Sequence, residues 1–164
     1  MGNMYIDASI RTIRKALDLL GRITDNTKFQ EIRDELHDNL LALVHFVGDI
    51  YARLKANKVF YNVSKDEVEL FLAFIYLNNQ LKHDPNLEVI YYEVSGSMFP
   101  MFFPFHFGLP CVCWADFEDH GNNKEATRTL YDKYLKSKDI QVTLEQLEKV
   151  IFHYSIVMCG HDEF

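Results

Sequence analysis

The sequence predicts a mainly α-helical fold: an antiparallel bundle of four or five helices with a small two-stranded β insertion at about residues 87–115. Apolar residues recur at helical spacing through most of the chain, but after Pro85 the pattern becomes strand-like. The links between the predicted helices are short, which favours antiparallel neighbours. The length of 164 residues fits a single domain, 1–164, carrying the β-hairpin insertion.

Amphipathic stripes and capping signals mark the individual helices. Each predicted helix has apolar residues three and four positions apart, and three of them open on a side chain that can accept a backbone N–H. The predicted helices cover 4–20, 27–55, 64–83, 122–136 and 143–157. Capping boxes are predicted at Thr27 with Gln30, Ser64 with Glu67, and Thr143 with Gln146.

The predicted insertion consists of strands at 87–94 and 110–115, which are rich in β-branched and aromatic residues. Cys111 and Cys113 alternate with Val112 and so share one face of the second strand, which alone is weak evidence for metal or redox chemistry. Between the strands lies the Phe/Pro-rich segment, residues 98–109. Its prolines exclude a helix, and its aromatic residues form either a contact surface for a protein partner or a loop folded over the bundle.

Composition indicates a globular protein, because 48% of the residues are hydrophobic and 25% are charged. The net charge of -7 argues against broad nonspecific binding to nucleic acid but leaves room for a local basic notch. No run of residues is apolar over the length of a membrane helix, and the first residues lack a secretory signal pattern. The absence of a membrane helix leads us to expect no membrane contact. Because the three cysteines do not form a disulfide framework, we expect a cytoplasmic protein.

The stretch from Asn78 to Pro85 holds the densest group of chemically capable side chains. Helical rows running from Val68 and Phe71 predict that Asn78, Asn79 and His83 point toward partner helices or a cleft. Pro85 ends the helix, which places His83 in the last turn as a possible acid or base near neutral pH. The alternative interpretation is an ordinary helix end, where asparagine, lysine and histidine are common.

The residues Asn78-Asn79-Gln80-Leu81-Lys82-His83 resemble the motif of HEPN-like proteins. These are small helical bundles of bacterial defence and toxin–antitoxin systems, and their active members are usually metal-independent ribonucleases. In that motif an arginine, often followed by a polar residue, precedes a histidine by a few residues; here Asn78 stands in the arginine position. The resemblance implies either RNA binding alone or RNA cleavage, and a homodimer that needs no cofactor or metal. For cleavage, the catalytic residues would be His83, Asn79 and Lys82, and the binding residues Asn78 and Asp84.

Two other functions fit the same sequence. The first is a noncatalytic homodimeric interaction module that uses the Phe/Pro-rich segment. In that case Asn78, Asn79 and His83 of the third helix would only form hydrogen bonds between helices. The second is a metal-binding helical bundle with His37, His45 and His83 as ligands, to which His153 would be a further candidate.

Overall fold

The computed structural model describes residues 3–56, 64–93, 111–119 and 125–159, and it confirms a mainly helical fold with a two-stranded antiparallel insertion after the third helix. Within the described ranges there are five helices and two strands. They are α1 (Asn3–Gly21), α2 (Asn26–Ala56), α3 (Lys65–His83), β1 (Ile90–Glu93), β2 (Cys111–Trp114), α4 (Glu125–Tyr134) and α5 (Ile140–Cys159). Among these residues, no helix is both long enough and apolar enough to cross a membrane.

The first three helices run antiparallel to one another in sequence order, because residues near the start of one contact residues near the end of its neighbour. At the start of α1, the Tyr5 ring centroid lies 4.2 Å from the guanidinium carbon of Arg53 near the end of α2. Tyr51, also near the end of α2, contacts Phe71 in the first half of α3. The Phe71 ring in turn lies 5.2 Å from that of Tyr154 in α5, so α2, α3 and α5 meet at this end of the bundle.

The hairpin contributes to the core of the bundle. Trp114 is completely buried and makes an edge-on contact with Phe74 of α3, with ring centroids 5.8 Å apart. Tyr76 and Tyr131 are also fully buried and pack against each other between α3 and α4. Full burial of one large apolar side chain contributes roughly 1.5–3 kcal/mol, so the hairpin is a structural part of the domain.

Strand β2 has hydrogen-bonded neighbours on both sides. On one side it pairs with β1 in a register that sets Tyr91 opposite Cys113 and Glu93 opposite Cys111. On the other side the Trp114 N–H donates to the Lys138 carbonyl at 3.1 Å, and the Ser137 N–H donates to the Trp114 carbonyl at 2.9 Å. The connection between α4 and α5 therefore covers the edge of β2.

The start of α3 confirms one predicted capping box. The Glu67 N–H donates to Ser64 Oγ at 3.2 Å, and the Ser64 N–H donates to Glu67 Oε2 at 3.2 Å. The box predicted at Thr27 is wrong, because α2 begins one residue earlier and Asp25 caps it. The Asp25 carboxylate accepts the Lys28 N–H at 2.8 Å.

The start of α5 corrects a second capping box. The helix begins at Ile140, three residues before Thr143, and the Asp139 carboxylate accepts the Gln141 N–H at 2.8 Å. Thr143 is buried inside the first turn, where its hydroxyl donates to the Asp139 carbonyl at 2.8 Å. An acidic residue preceding each threonine supplies the stronger acceptor, so the threonines are not needed as caps.

The strands and α4 are shorter than predicted. The segment 87–89 precedes β1, although the Val89 carbonyl still accepts the Ala115 N–H at 2.8 Å. The final turn of α4 closes at Tyr134 rather than at 136. The Phe/Pro-rich segment, the predicted start of α4 at 122–124 and the predicted frayed tail beyond Cys159 lie outside the described residues.

Candidate functional site

Asn78 lies inside the bundle, as its position in the sequence predicted. It is 7% exposed and faces α2 at Gly48, where an added Cβ would lie 3.0 Å from Asn78 Nδ2. Asn78 Oδ1 is buried and has no hydrogen-bond partner among the described residues. Glycine at position 48 therefore makes room for this amide between the two helices, and solvent does not reach Asn78 as it would reach a surface binding group.

His83 is exposed, so the prediction that it points toward the bundle or a cleft is wrong. Its helical row begins at Val68 and passes Ile75, and both of these residues are only half-buried. The fully buried part of α3 follows the other row, through Phe71 to Asn78. The His83 row thus runs along the margin of the buried face and reaches solvent in the last turn.

Asn79, Lys82 and His83 share one face at the end of α3, because they are three and four residues apart. Asn79 is half-buried, whereas Lys82 and His83 are exposed. The structure brings these three predicted catalytic residues together on what we call the α3 terminal face. It places the predicted binding residue Asn78 elsewhere, on the inward side of the same helix.

Asp84, the second predicted binding residue, shapes the exit from α3. Its backbone is extended, with φ of −136°, as expected for a residue before proline. The Asp84 N–H donates to the Gln80 carbonyl at 2.9 Å, and its carboxylate accepts the Asn86 N–H at 3.0 Å. Its side chain therefore supports the turn that leads from α3 toward β1.

The histidines do not assemble into the metal site that the sequence left open. His37 is half-buried with Nε2 3.0 Å from the Leu87 carbonyl, and His45 is exposed. His153 Nδ1 lies 3.6 Å from Glu67 Oε1, near the start of α3. Across the described ranges, no group of three clustered metal-ligand side chains includes a histidine.

A different set of metal-ligand side chains does come together, on the hairpin. Glu93, Cys111 and Cys113, here called the cysteine–glutamate cluster, have ligand atoms all within 4.8 Å of one another. The two sulfur atoms are 3.3 Å apart, and Glu93 Oε2 lies 3.8 Å from the Cys111 sulfur and 3.5 Å from the Cys113 sulfur. Glu93 is exposed, Cys111 half-buried and Cys113 buried, so the cluster spans the boundary between solvent and core.

The protein environment keeps both thiols of this cluster protonated. Burial raises the pKa of the Cys111 thiol and of the Cys113 thiol, and the nearby Glu93 carboxylate acts in the same direction on both. Neither thiol is therefore an activated nucleophile of the kind that depends on a depressed pKa.

The alternation along β2 predicted that the two cysteines share one face, but no pattern in the sequence pointed to Glu93. Alternation along β2 is a local signal, whereas the partner of Cys111 depends on the register between strands that are far apart in sequence. Glu93 could be identified only from the strand register, which places this last residue of β1 opposite the first residue of β2.

Comparison of the chain with protein-family models, curated proteins and solved structures found no match.

Proposed function

We propose that this protein is a HEPN-like protein that binds RNA at the α3 terminal face. The observation that carries the proposal is that Asn79, Lys82 and His83 share an accessible face within a stretch that resembles the HEPN motif. The helical bundle is also the kind of fold in which that motif occurs. Lys82 supplies a positive charge for a phosphate, and Asn79 supplies amide donors.

The catalytic form of this proposal is metal-independent cleavage by transesterification. His83 takes the proton of the 2′-hydroxyl, the 2′-oxygen forms a bond to the adjacent phosphorus, and the bond from phosphorus to the 5′-oxygen breaks. The leaving 5′-oxygen receives a proton from protonated histidine or water. The reaction requires RNA because DNA lacks the 2′-hydroxyl.

The charge environment sets the expected strength of binding. Carbonyl groups at the end of α3 favour the positive charges of Lys82 and protonated His83, but they disfavour a phosphate placed directly on the helix axis. With Asn78 in the position of the family's arginine, and buried, Lys82 is the cation that the motif offers. We therefore expect modest affinity that falls as salt concentration rises.

The test is binding of a fluorescently labelled single-stranded RNA at low salt with EDTA present, followed by fluorescence anisotropy and by gel analysis for cleavage. Lys82→Ala and His83→Ala should each weaken binding at least about fivefold, because a hydrogen bond that involves a charged group contributes about 1 kcal/mol or more. Matched controls are Lys149→Ala on α5 and His153→Ala, since both residues are exposed. His153 lies near Glu67, and Glu67 is about 24 Å along α3 from His83.

Two outcomes would distinguish RNA binding from RNA cleavage or reject both. Binding without cleavage would leave RNA binding in place and reject catalysis by His83. If the wild-type protein binds RNA no better than the Lys82 and His83 variants do, the proposal is wrong.

A homodimer is part of the proposal because HEPN-like sites usually form across two subunits. Light scattering after size exclusion should give the mass of two chains, 19.3 kDa each. A dimer that binds no RNA would instead support the noncatalytic interaction module, with the Phe/Pro-rich segment as the place to look for its contacts.

A further inference from the structure

We infer that the cysteine–glutamate cluster is a binding site for a thiophilic divalent cation of the zinc class. This inference is independent of RNA binding, because the cluster lies on the hairpin and shares no residue with the α3 terminal face. Neither site requires the other to be occupied.

The distances fit one cation bound to all three groups. Tetrahedral coordination with zinc–sulfur bonds near 2.3 Å and a zinc–oxygen bond near 2.0 Å separates the two sulfurs by roughly 3.7 Å and sulfur from oxygen by roughly 3.5 Å. The observed separations are 3.3 Å between the sulfurs and 3.5 and 3.8 Å from sulfur to oxygen. Side-chain shifts of roughly half an ångström or less complete the geometry.

The ligand chemistry selects the class of cation. Two thiolates favour soft or borderline ions such as Zn²⁺ over Mg²⁺ or Ca²⁺, which prefer oxygen ligands. On binding, each thiol loses its proton to solvent, so two thiolates and a carboxylate surround the ion. The positive ion stabilises thiolates that burial otherwise disfavours.

The backbone holds the three ligands in place without a dedicated loop. Glu93 faces Cys111 directly across the ladder, and Cys113 is two residues further along the same strand face. Three protein ligands leave the fourth tetrahedral position for water, and Cys111 also lines a cavity of about 260 Å³ beside Asp139 and Tyr92. An ion can therefore reach the cluster from solvent.

The experiment is titration of the reduced protein with Co²⁺, a coloured substitute for Zn²⁺. We expect one equivalent per chain, an absorption band from thiolate-to-cobalt charge transfer, and loss of that band when Zn²⁺ is added. Cys111→Ser and Glu93→Gln should each weaken Zn²⁺ affinity at least about tenfold in competition with a chromophoric chelator. Zn²⁺ should also raise the thermal midpoint of the wild-type protein and leave that of Cys111→Ser unchanged.

Cys159→Ser is the matched control, since it removes the remaining cysteine of the chain from a residue outside the cluster. Its Zn²⁺ affinity and cobalt spectrum should equal those of the wild type. Cys111 and Glu93 are the decisive positions because they are less buried than Cys113, so their substitution disturbs folding least; circular dichroism checks this. Equal Zn²⁺ affinity in wild type and Cys111→Ser, or loss of binding in Cys159→Ser, would overturn the inference.

Discussion

Asn78 combines a polar side chain with a buried position between two helices. Its amide fills the space beside Gly48, and its carbonyl oxygen has no hydrogen-bond partner in the part of the chain that the structure describes. An unpaired buried polar group costs about 1–3 kcal/mol. The packing between α2 and α3 therefore requires an uncharged side chain of limited size at position 78.

An arginine in place of Asn78 should destabilise the protein. Asn78→Arg places a longer, charged side chain against Gly48 in the core, and an uncompensated buried charge costs about 3–5 kcal/mol. Urea unfolding should show a loss of at least about 3 kcal/mol in the free energy of unfolding. The control is Asn79→Arg on the half-buried neighbour, which should lose far less. Equal losses in both variants would contradict the assignment of Asn78 to the core.

Two buried tyrosines offer a matched test of hydrogen bonding. The Tyr131 hydroxyl donates to the Ala115 carbonyl at 2.6 Å, whereas the Tyr154 hydroxyl has no partner among the described residues. Tyr131→Phe should lower the free energy of unfolding by about 1–3 kcal/mol, because it leaves a buried carbonyl unpaired. Tyr154→Phe should be neutral or stabilising. Chemical denaturation of both variants measures the difference, and similar effects would argue against the Tyr131 bond.

At the scale of elements, α4 contacts α3 through hydrogen bonds as well as through aromatic packing. Glu69 of α3 accepts a hydrogen bond from the Tyr134 hydroxyl at 2.6 Å and another from Lys133 Nζ at 3.1 Å. The hydrogen bond from Tyr134, and then that from Lys133, lower the pKa of Glu69. A carboxyl whose pKa falls on folding stabilises the folded state above its ordinary value of 4.5, and that stabilisation is lost as the pH falls through the lower folded value.

This linkage predicts acid sensitivity of the α3–α4 contact. Stability measured by urea unfolding should decline as the pH falls from 6 toward 3, and the decline should be shallower in Glu69→Gln. Burial raises the pKa of Asp116, but Lys136 and Arg128 together lower it by more, so Asp116 titrates in the same direction as Glu69. The comparison between wild type and Glu69→Gln isolates Glu69, and Glu145→Gln on α5 serves as the control. An unchanged slope in Glu69→Gln would exclude this role.

The helices were predictable because their signals are local. Apolar spacing located all five, and the serine–glutamate box at Ser64 was confirmed. The caps predicted at Thr27 and Thr143 were wrong because several residues near a helix start can accept a backbone N–H. Residue spacing alone does not determine which of them forms the cap.

At the scale of the whole molecule, the candidate sites were less predictable than the fold. The helical spacing correctly predicted that Asn78 faces the core. It wrongly predicted the same for His83, because burial at the end of α3 depends on where the neighbouring helices end. The pairing of Glu93 with Cys111 depends on strand register, which is set by packing of the hairpin on the bundle. Sequence periodicity reports which face a residue occupies, and only the assembled domain decides what lies opposite that face.

The pairing of Glu93 with Cys111 has one more consequence. The two residues that flank the stretch 94–110, Glu93 and Cys111, are paired in a ladder that is anchored independently, through Trp114 and the α4–α5 connection. Doubling the length of such a stretch costs only about 0.6 kcal/mol in closure entropy. We therefore expect that a change in the length of this stretch leaves the pairing of Glu93 with Cys111 and the fold of the bundle in place.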